Sequence, residues 1–221
     1  MMSFLLLQVV QEPVTAELGE SYFNLILKAG WILLPIGILS FVSIYIIADR
    51  WSKLHRASRK QDLMQTIMPM LKEGKIDLAI STCDLSALPE GKVLGAGLRT
   101  LGSPISDIQD AMESEARQQM DILSNGMHYL SITSSVAPML GFLGTIFGVI
   151  KIFYNISLAD NISIGVISGG LYQKMMSSAA GLLVGIVAFS AYHILNAKID
   201  RIASSTERQS NQLISFLRSP N

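Results

Sequence analysis

His128–Ile150, HYLSITSSVAPMLGFLGTIFGVI, carries no charged side chain and sits inside a longer uncharged window that opens at Ile122. About 20 helical residues cover about 30 Å at 1.5 Å per residue, the thickness of a bilayer's hydrocarbon core. The stretch therefore reads as a membrane-spanning helix, and two more windows read the same way. Ala29–Ala48, AGWILLPIGILSFVSIYIIA, has no charge, and Asn161–Ala197 has one, Lys174. Pro35 and Pro138 are compatible with spans, because neighbouring helices or Ser/Thr hydroxyls can satisfy a freed carbonyl.

Composition supports that reading. Of 221 residues, 50% are hydrophobic and 15% charged, well below the roughly 25% of a soluble domain, and mean hydropathy is +0.42. Lys and Arg total 17 against 17 Asp and Glu, so neither a basic nucleic-acid binder nor an acidic tail dominates. Cys83 stands alone, which excludes an internal disulfide and offers no spaced Cys/His set for zinc. The N-terminal FLLLQVV, Phe4–Val10, lacks a basic flank and is too short to span; it reads as an outer or interfacial segment rather than a cleaved signal.

Arg50, Lys53, Arg56, Arg59 and Lys60 follow the first span and Lys198, Arg201 and Arg208 follow the third, whereas Glu12, Glu17 and Glu20 precede the first. The positive-inside rule then places the N-terminus outside and the C-terminus in the cytoplasm. Tyr154 and Tyr172 fall toward the outer interface, and Trp51, Tyr129 and Tyr192 toward the inner one. The organisation expected is an outer segment 1–25, spans at 26–49, 128–154 and 164–195, a cytoplasmic insert 50–127, a short outer loop 155–163 and a cytoplasmic helix 196–221.

The insert holds ten basic and ten acidic residues and is expected to be helical, without a large core of its own. Gly91, Gly95 and Gly97 read as loop punctuation. Ser106 and Gln109 fit a capping box, and the spacing of Ile108, Met112, Ala116, Met120, Leu123 and Met127 predicts one helix from about Ser106 to Tyr154, about 70 Å long. Ile199, Ile202, Ile214 and Leu217 extend the third helix into the cytoplasm as a coiled contact between subunits or a partner's docking face.

Pro138, Gly141, Thr145 and Gly148 recur at three and four residues and so share one helix face; Gly170, Lys174, Ser178, Gly181 and Gly185 form a similar row, with Gly181 and Gly185 in GxxxG spacing. Small residues there mean close helix packing. Thr145 lies about 9 Å inward of Lys151 and Ser178 at a comparable depth, so two hydroxyls are candidates for lining an ion path; the alternative is back-bonding to a carbonyl one turn earlier. The uncharged windows contain no carboxylate, so a titrating group in the membrane has to come from another polypeptide. Lys174 either snorkels to the outer boundary or pairs with such a carboxylate. His55, His128 and His193 lie near the inner interface, and no nucleophile–base pair, metal cluster or phosphate loop suggests an enzyme.

PMLGFLGTIFGVIKIF, Pro138–Phe153, resembles the signature P-x-L-G-L-L-G-T-V-x-G-M of the MotA/TolQ/ExbB proton-channel family. MMSSAAGLLVGIVAFSAYHI, Met175–Ile194, and GWILLPIGILSFVSIYIIADRW, Gly30–Trp51, are similar to its third and first helices, so the resemblance covers about Ile26 to Asp200. It implies an all-α integral membrane protein of three transmembrane helices with long cytoplasmic extensions, assembling as a ring. It also implies an ExbB- or TolQ-type inner-membrane subunit: a homopentamer around an ExbD- or TolR-like single-span partner whose aspartate carries the proton, driving a TonB- or TolA-like protein, as in outer-membrane transport. No cofactor is implied. Thr145 and Ser178 match the family's two pathway threonines, and Gln173 and Lys174 are further pathway or partner-contact positions. Gln173 stands where ExbB-type helices have glutamate and does not titrate, and Val187 replaces a proline. The hydroxyls are expected to stabilise the charged carboxylate, each proton yielding about 2.3 kcal/mol per 100 mV. Sodium is the alternative ion; a non-conducting scaffold or a flagellar- or gliding-type stator is the alternative function.

Overall fold

A computed structural model of the chain describes residues 32–57, 62–158 and 164–218. The outer segment 1–25, the first residues of the first span and the last three of the chain lie outside the described residues. Among those described there is no strand, and the helices are α1 (Leu33–Ala57), α2 (Leu63–Lys72), α3 (Ile76–Leu85), α4 (Pro89–Arg99), α5 (Ile105–Ser124), α6 (Met127–Ser157) and α7 (Ile164–Arg218). α1, α6 and α7 are long and apolar enough to cross a membrane, which gives the all-α, three-span architecture. Their outward faces are apolar: Phe41, Tyr45, Phe142, Leu183 and Ile186 are all more than 60% exposed, as side chains in lipid or against other copies would be.

Contacts divide the chain into two compact units. One comprises the described parts of Met1–Leu39 and Val136–Val184, the other those of Ser40–Ser135 and Gly185–Asn221. The second unit differs from the sequence expectation in several ways. The insert does build a core: Leu63, Met64, Ile67, Ala79, Cys83, Val93, Leu94, Leu98, Ile108 and Met112 are buried together, closed by Leu213 of α7. The backbone N–H of Met64 donates to Oε1 of the buried Gln209 at 3.3 Å, tying α2 to α7. The C-terminal stretch of α7 therefore packs Leu213, Ile199 and Ile202 into cores of its own chain, with Ile214 and Leu217 partly buried beside them.

Gly91, Gly95 and Gly97 lie inside α4 rather than in a loop. Pro89 opens that helix at its first turn, where its missing N–H costs nothing. The glycines are needed for proximity: a Cβ on Gly91 would come 2.7 Å from the Cys83 carbonyl oxygen, and one on Gly97 2.5 Å from Sδ of Met112. α4 is thus pressed between α3 and α5. Burial pushes the Cys83 thiol up to about 11, with Asp84 adding to the shift and Arg99 opposing it.

The single helix expected from Ser106 to Tyr154 is two helices. Asn125 leaves helical geometry at ψ 132 and Gly126 takes φ +83, a left-handed conformation that favours glycine. Hydrophobic spacing continues through the break, which is why periodicity alone ran the two together. The joint is held from α1: Nη1 of Arg50 donates at 3.2 Å to the carbonyl of Ile122, one of the last carbonyls of α5. Leu54, Met127, Leu130, Leu195, Ile199 and Ile202 pack as a second core. The capping box does not form; Pro104 precedes α5 as its N-cap, and Ser106 Oγ donates to Asp107 Oδ1 at 3.1 Å.

Glu90 is 5% exposed, and its Oε2 has no hydrogen-bond partner among the described residues. Burial raises its pKa, opposed in part by hydrogen bonds from its own backbone N–H and from Ser205. The folded state then keeps a proton above pH 4.5 that the unfolded state has released, so stability falls as pH rises through that window. Thermal unfolding in detergent against pH is expected to show this decline, and Glu90→Gln to flatten it; an unchanged slope would show that Glu90 is not its source. In the same assay Gly91→Ala, which meets backbone, is expected to cost about 1–3 kcal/mol. Gly97→Ala, which meets a flexible thioether, should cost less.

Candidate functional site

The first unit is organised by an antiparallel contact between α6 and α7 that small residues make possible. A Cβ on Gly181 would lie 2.5 Å from the carbonyl oxygen of Ala137 and 2.9 Å from Cα of Gly141; one on Gly141 would lie 3.1 Å from both Cα and O of Ser178. Backbone thus meets backbone, as in small-residue crossings of membrane helices. Further along, Gly148 receives the stem of Lys174, whose Cγ, Cδ and Cε occupy the space a Cβ would need. A Cβ on Gly170 would lie 3.0 Å from Cδ1 of Ile152. The two rows read from the sequence therefore do face each other, and Pro138 sits within α6, beside the buried Ala137. Gly185 is also buried, in the other unit.

Thr145 lies in the middle of this contact. Its Oγ1 is 3.3 Å from the carbonyl oxygen of Gly141, one turn back, and 3.3 Å from that of Lys174 on α7. A hydroxyl has one proton, so these two bonds share it, and both are long. The back-bonding read from the sequence is present, with an interhelical bond added to it. Ser178 presents its backbone to Gly141, one turn before Thr145 on α6, so the two hydroxyl-bearing residues are offset by about 6 Å along α6.

The sequence rows omitted two residues that the geometry brings in. Ser177 is 1% exposed, and a Cβ on Gly144 would lie 3.6 Å from its Cβ and 3.3 Å from Cγ2 of Ile32, just before α1. Their signal was the GxxG of Gly141 and Gly144, which serves two neighbours with two glycines. The side chain of Gln173 lies outside the described residues. Lys174 is half-buried, and no carboxylate among the described residues pairs with it; their ion pairs are those of Asp49, Glu73, Asp84 and Glu113. No group of three His, Cys, Asp or Glu gathers at metal-ligand spacing among the described residues. His193 packs edge-on against Phe189 at 4.3 Å, and Lys198 Nζ stands 3.5 Å over the Trp51 ring.

This arrangement places the Thr145 hydroxyl, the buried Ser177 and one cation, Lys174, on a glycine-lined seam. Among the described residues the two spans α6 and α7 bring no carboxylate to this seam. Gly181→Ala is expected to force α6 and α7 apart and to lower thermal stability in detergent by about 1–3 kcal/mol, whereas Gly169→Ala, which meets nothing within 4 Å, leaves it unchanged or higher. Equal effects at the two positions would contradict the close contact.

The description of one protein family matches residues 86–208: the MotA/TolQ/ExbB proton channel family. Among curated relatives, a putative biopolymer transport protein ExbB homolog of Methanothermobacter thermautotrophicus is 26% identical over 170 residues, 77% of this chain and 60% of the relative. A putative biopolymer transport protein ExbB-like 1 of Helicobacter pylori is 32% identical over 90 residues, 41% of this chain and 48% of the relative. The Tol-Pal system protein TolQ of Haemophilus influenzae is 27% identical over 92 residues, 42% of this chain and 40% of the relative. The matches thus span between two fifths and three fifths of these relatives' own lengths. With the seam between α6 and α7 lying inside the matched segment, the chain belongs to the MotA/TolQ/ExbB proton channel family.

Proposed function

We propose that this chain is the ion-conducting subunit of an energy-transducing complex of the bacterial inner membrane, of the kind that serves biopolymer transport. The ion is a proton, with sodium as the alternative. The chain forms a ring, a pentamer by resemblance, around the membrane helices of an ExbD- or TolR-like partner, and passes the motion to a TonB- or TolA-like protein. Its N-terminus lies outside and its C-terminus in the cytoplasm. Family membership and the relatives' names support the class of function.

The observation that carries the conducting role is Thr145: a hydroxyl held on a glycine seam in a span without any carboxylate. A neutral wall of this kind lets a partner's carboxyl change protonation without a competing acid nearby, so that uptake on one side and release on the other alternate. Each charge crossing yields about 2.3 kcal/mol per 100 mV, and repeated crossings drive rotation of the ring about the partner. Ser178, one turn inward, continues the hydroxyl path, and Gln173 is a further pathway or partner-contact position that does not titrate.

The bonds that Thr145 makes to two carbonyls also favour a second reading, a non-conducting scaffold in which the hydroxyl only braces α6 against α7. Thr145→Val with Ser178→Ala separates the two. Conduction through the seam predicts loss of most proton-motive-force-dependent output in cells, with the complex still assembled at normal abundance. Full output from the double variant would leave only the scaffold.

A further inference from the structure

Lys174 is the only charged residue between Asn161 and Ala197, and its place is built. Gly148 leaves an open bed for its methylene stem, and its backbone carbonyl accepts from Thr145. No carboxylate of the described residues pairs with it, and the chain has none in its uncharged windows to offer. An ammonium group in a membrane helix takes a counter-charge or reaches for water. Thr145 beside it has a complementary limitation: its proton is shared between two carbonyls, so what it turns to a newcomer is a lone pair. A protonated carboxyl can donate to that lone pair. An ionised carboxylate needs N–H or O–H donors, and Lys174 supplies three.

We propose that Lys174 is the counter-charge that receives the ionised carboxylate of the second membrane polypeptide, the protonated form being left to the Thr145 seam of the function proposed above. The proposal rests on the partner-carboxylate reading given above and adds a cationic station to it. In the step from Lys174 to Thr145 the carboxylate takes a proton from water on the outer side, an O–H bond forming with the electron pair that had faced the ammonium, and the neutral group moves inward. Loss of that proton to water on the inner side breaks the O–H bond, leaves its electron pair on the oxygen and returns the charged group to Lys174. The hydroxyl seam and the cation thus distinguish the two protonation states by position, which the hydroxyls alone cannot do.

The test uses the intact complex of this chain with its single-span partner, in membranes, and dicyclohexylcarbodiimide, which modifies protonated carboxyls in lipid. Lys174→Met keeps the stem and removes the charge; it is expected to raise the labelling rate of the partner's carboxyl about tenfold at neutral pH, the effect of losing one nearby opposite charge. Lys174→Arg should restore the wild-type rate, and Gly148→Ala, which displaces the stem, should give an intermediate rise. An intact Lys174→Met complex that labels at the wild-type rate would overturn the proposal and leave Lys174 as a snorkelling side chain. Absence of any reactive partner carboxyl in the wild-type complex would contradict the conducting function itself.

Discussion

Backbone contact between α6 and α7 at Ala137, Gly141, Ser178 and Gly181 is the constraint on which the rest of the first unit depends. With no hydrophobic driving force between helices in lipid, close packing is what remains to hold two spans together, and it requires that no Cβ stand between them. The same proximity brings Thr145 within reach of a carbonyl on the opposite helix and makes Gly148 a bed for Lys174. A polar group on this seam is therefore held by the packing itself. One substitution in the glycine row disturbs both the contact and the chemistry it carries.

The second unit solves a different problem with the same residue type. α4 is glycine-rich and would be a weak helix alone; it exists because Gly91 and Gly97 let it sit against Cys83, Ser86 and Met112. Arg50 reaches from the end of α1 to the last turn of α5, where a cation meets the negative end of a helix and an open carbonyl at once. Beside it, Gly126 turns the chain from α5 into α6, with its Cβ position 3.5 Å from Nε of Arg50. The inner end of α1 and the start of α6 share this one joint.

The three spans, the helical insert and the two rows of small residues were legible in the sequence, because charge depletion and spacing report lipid and close packing directly; that the rows face each other came from the structure. The break at Gly126 was not. Apolar spacing from Ile108 to Met127 keeps its period across Asn125 and Gly126, and a single glycine in a helical pattern is silent unless its φ is known. Gly91, Gly95 and Gly97 misled in the opposite direction, since glycines are read as turns until a partner surface shows why a side chain is excluded. Thr145 was read as a hydroxyl about 9 Å inward of Lys151, but the direction of its proton belongs to the acceptors around it. Ser177 escaped because burial against Gly144 is a property of the fold.

The proposed function makes the membrane part of this chain the holder of a proton's carrier rather than the carrier. Proton flux into liposomes measures this most directly, comparing the chain reconstituted alone with the chain reconstituted together with a single-span partner bearing a membrane carboxylate. The account predicts flux at the leak level for the chain alone and flux well above it with the partner, abolished when that carboxylate is replaced by its amide. Equal proton flux from the chain alone would contradict it.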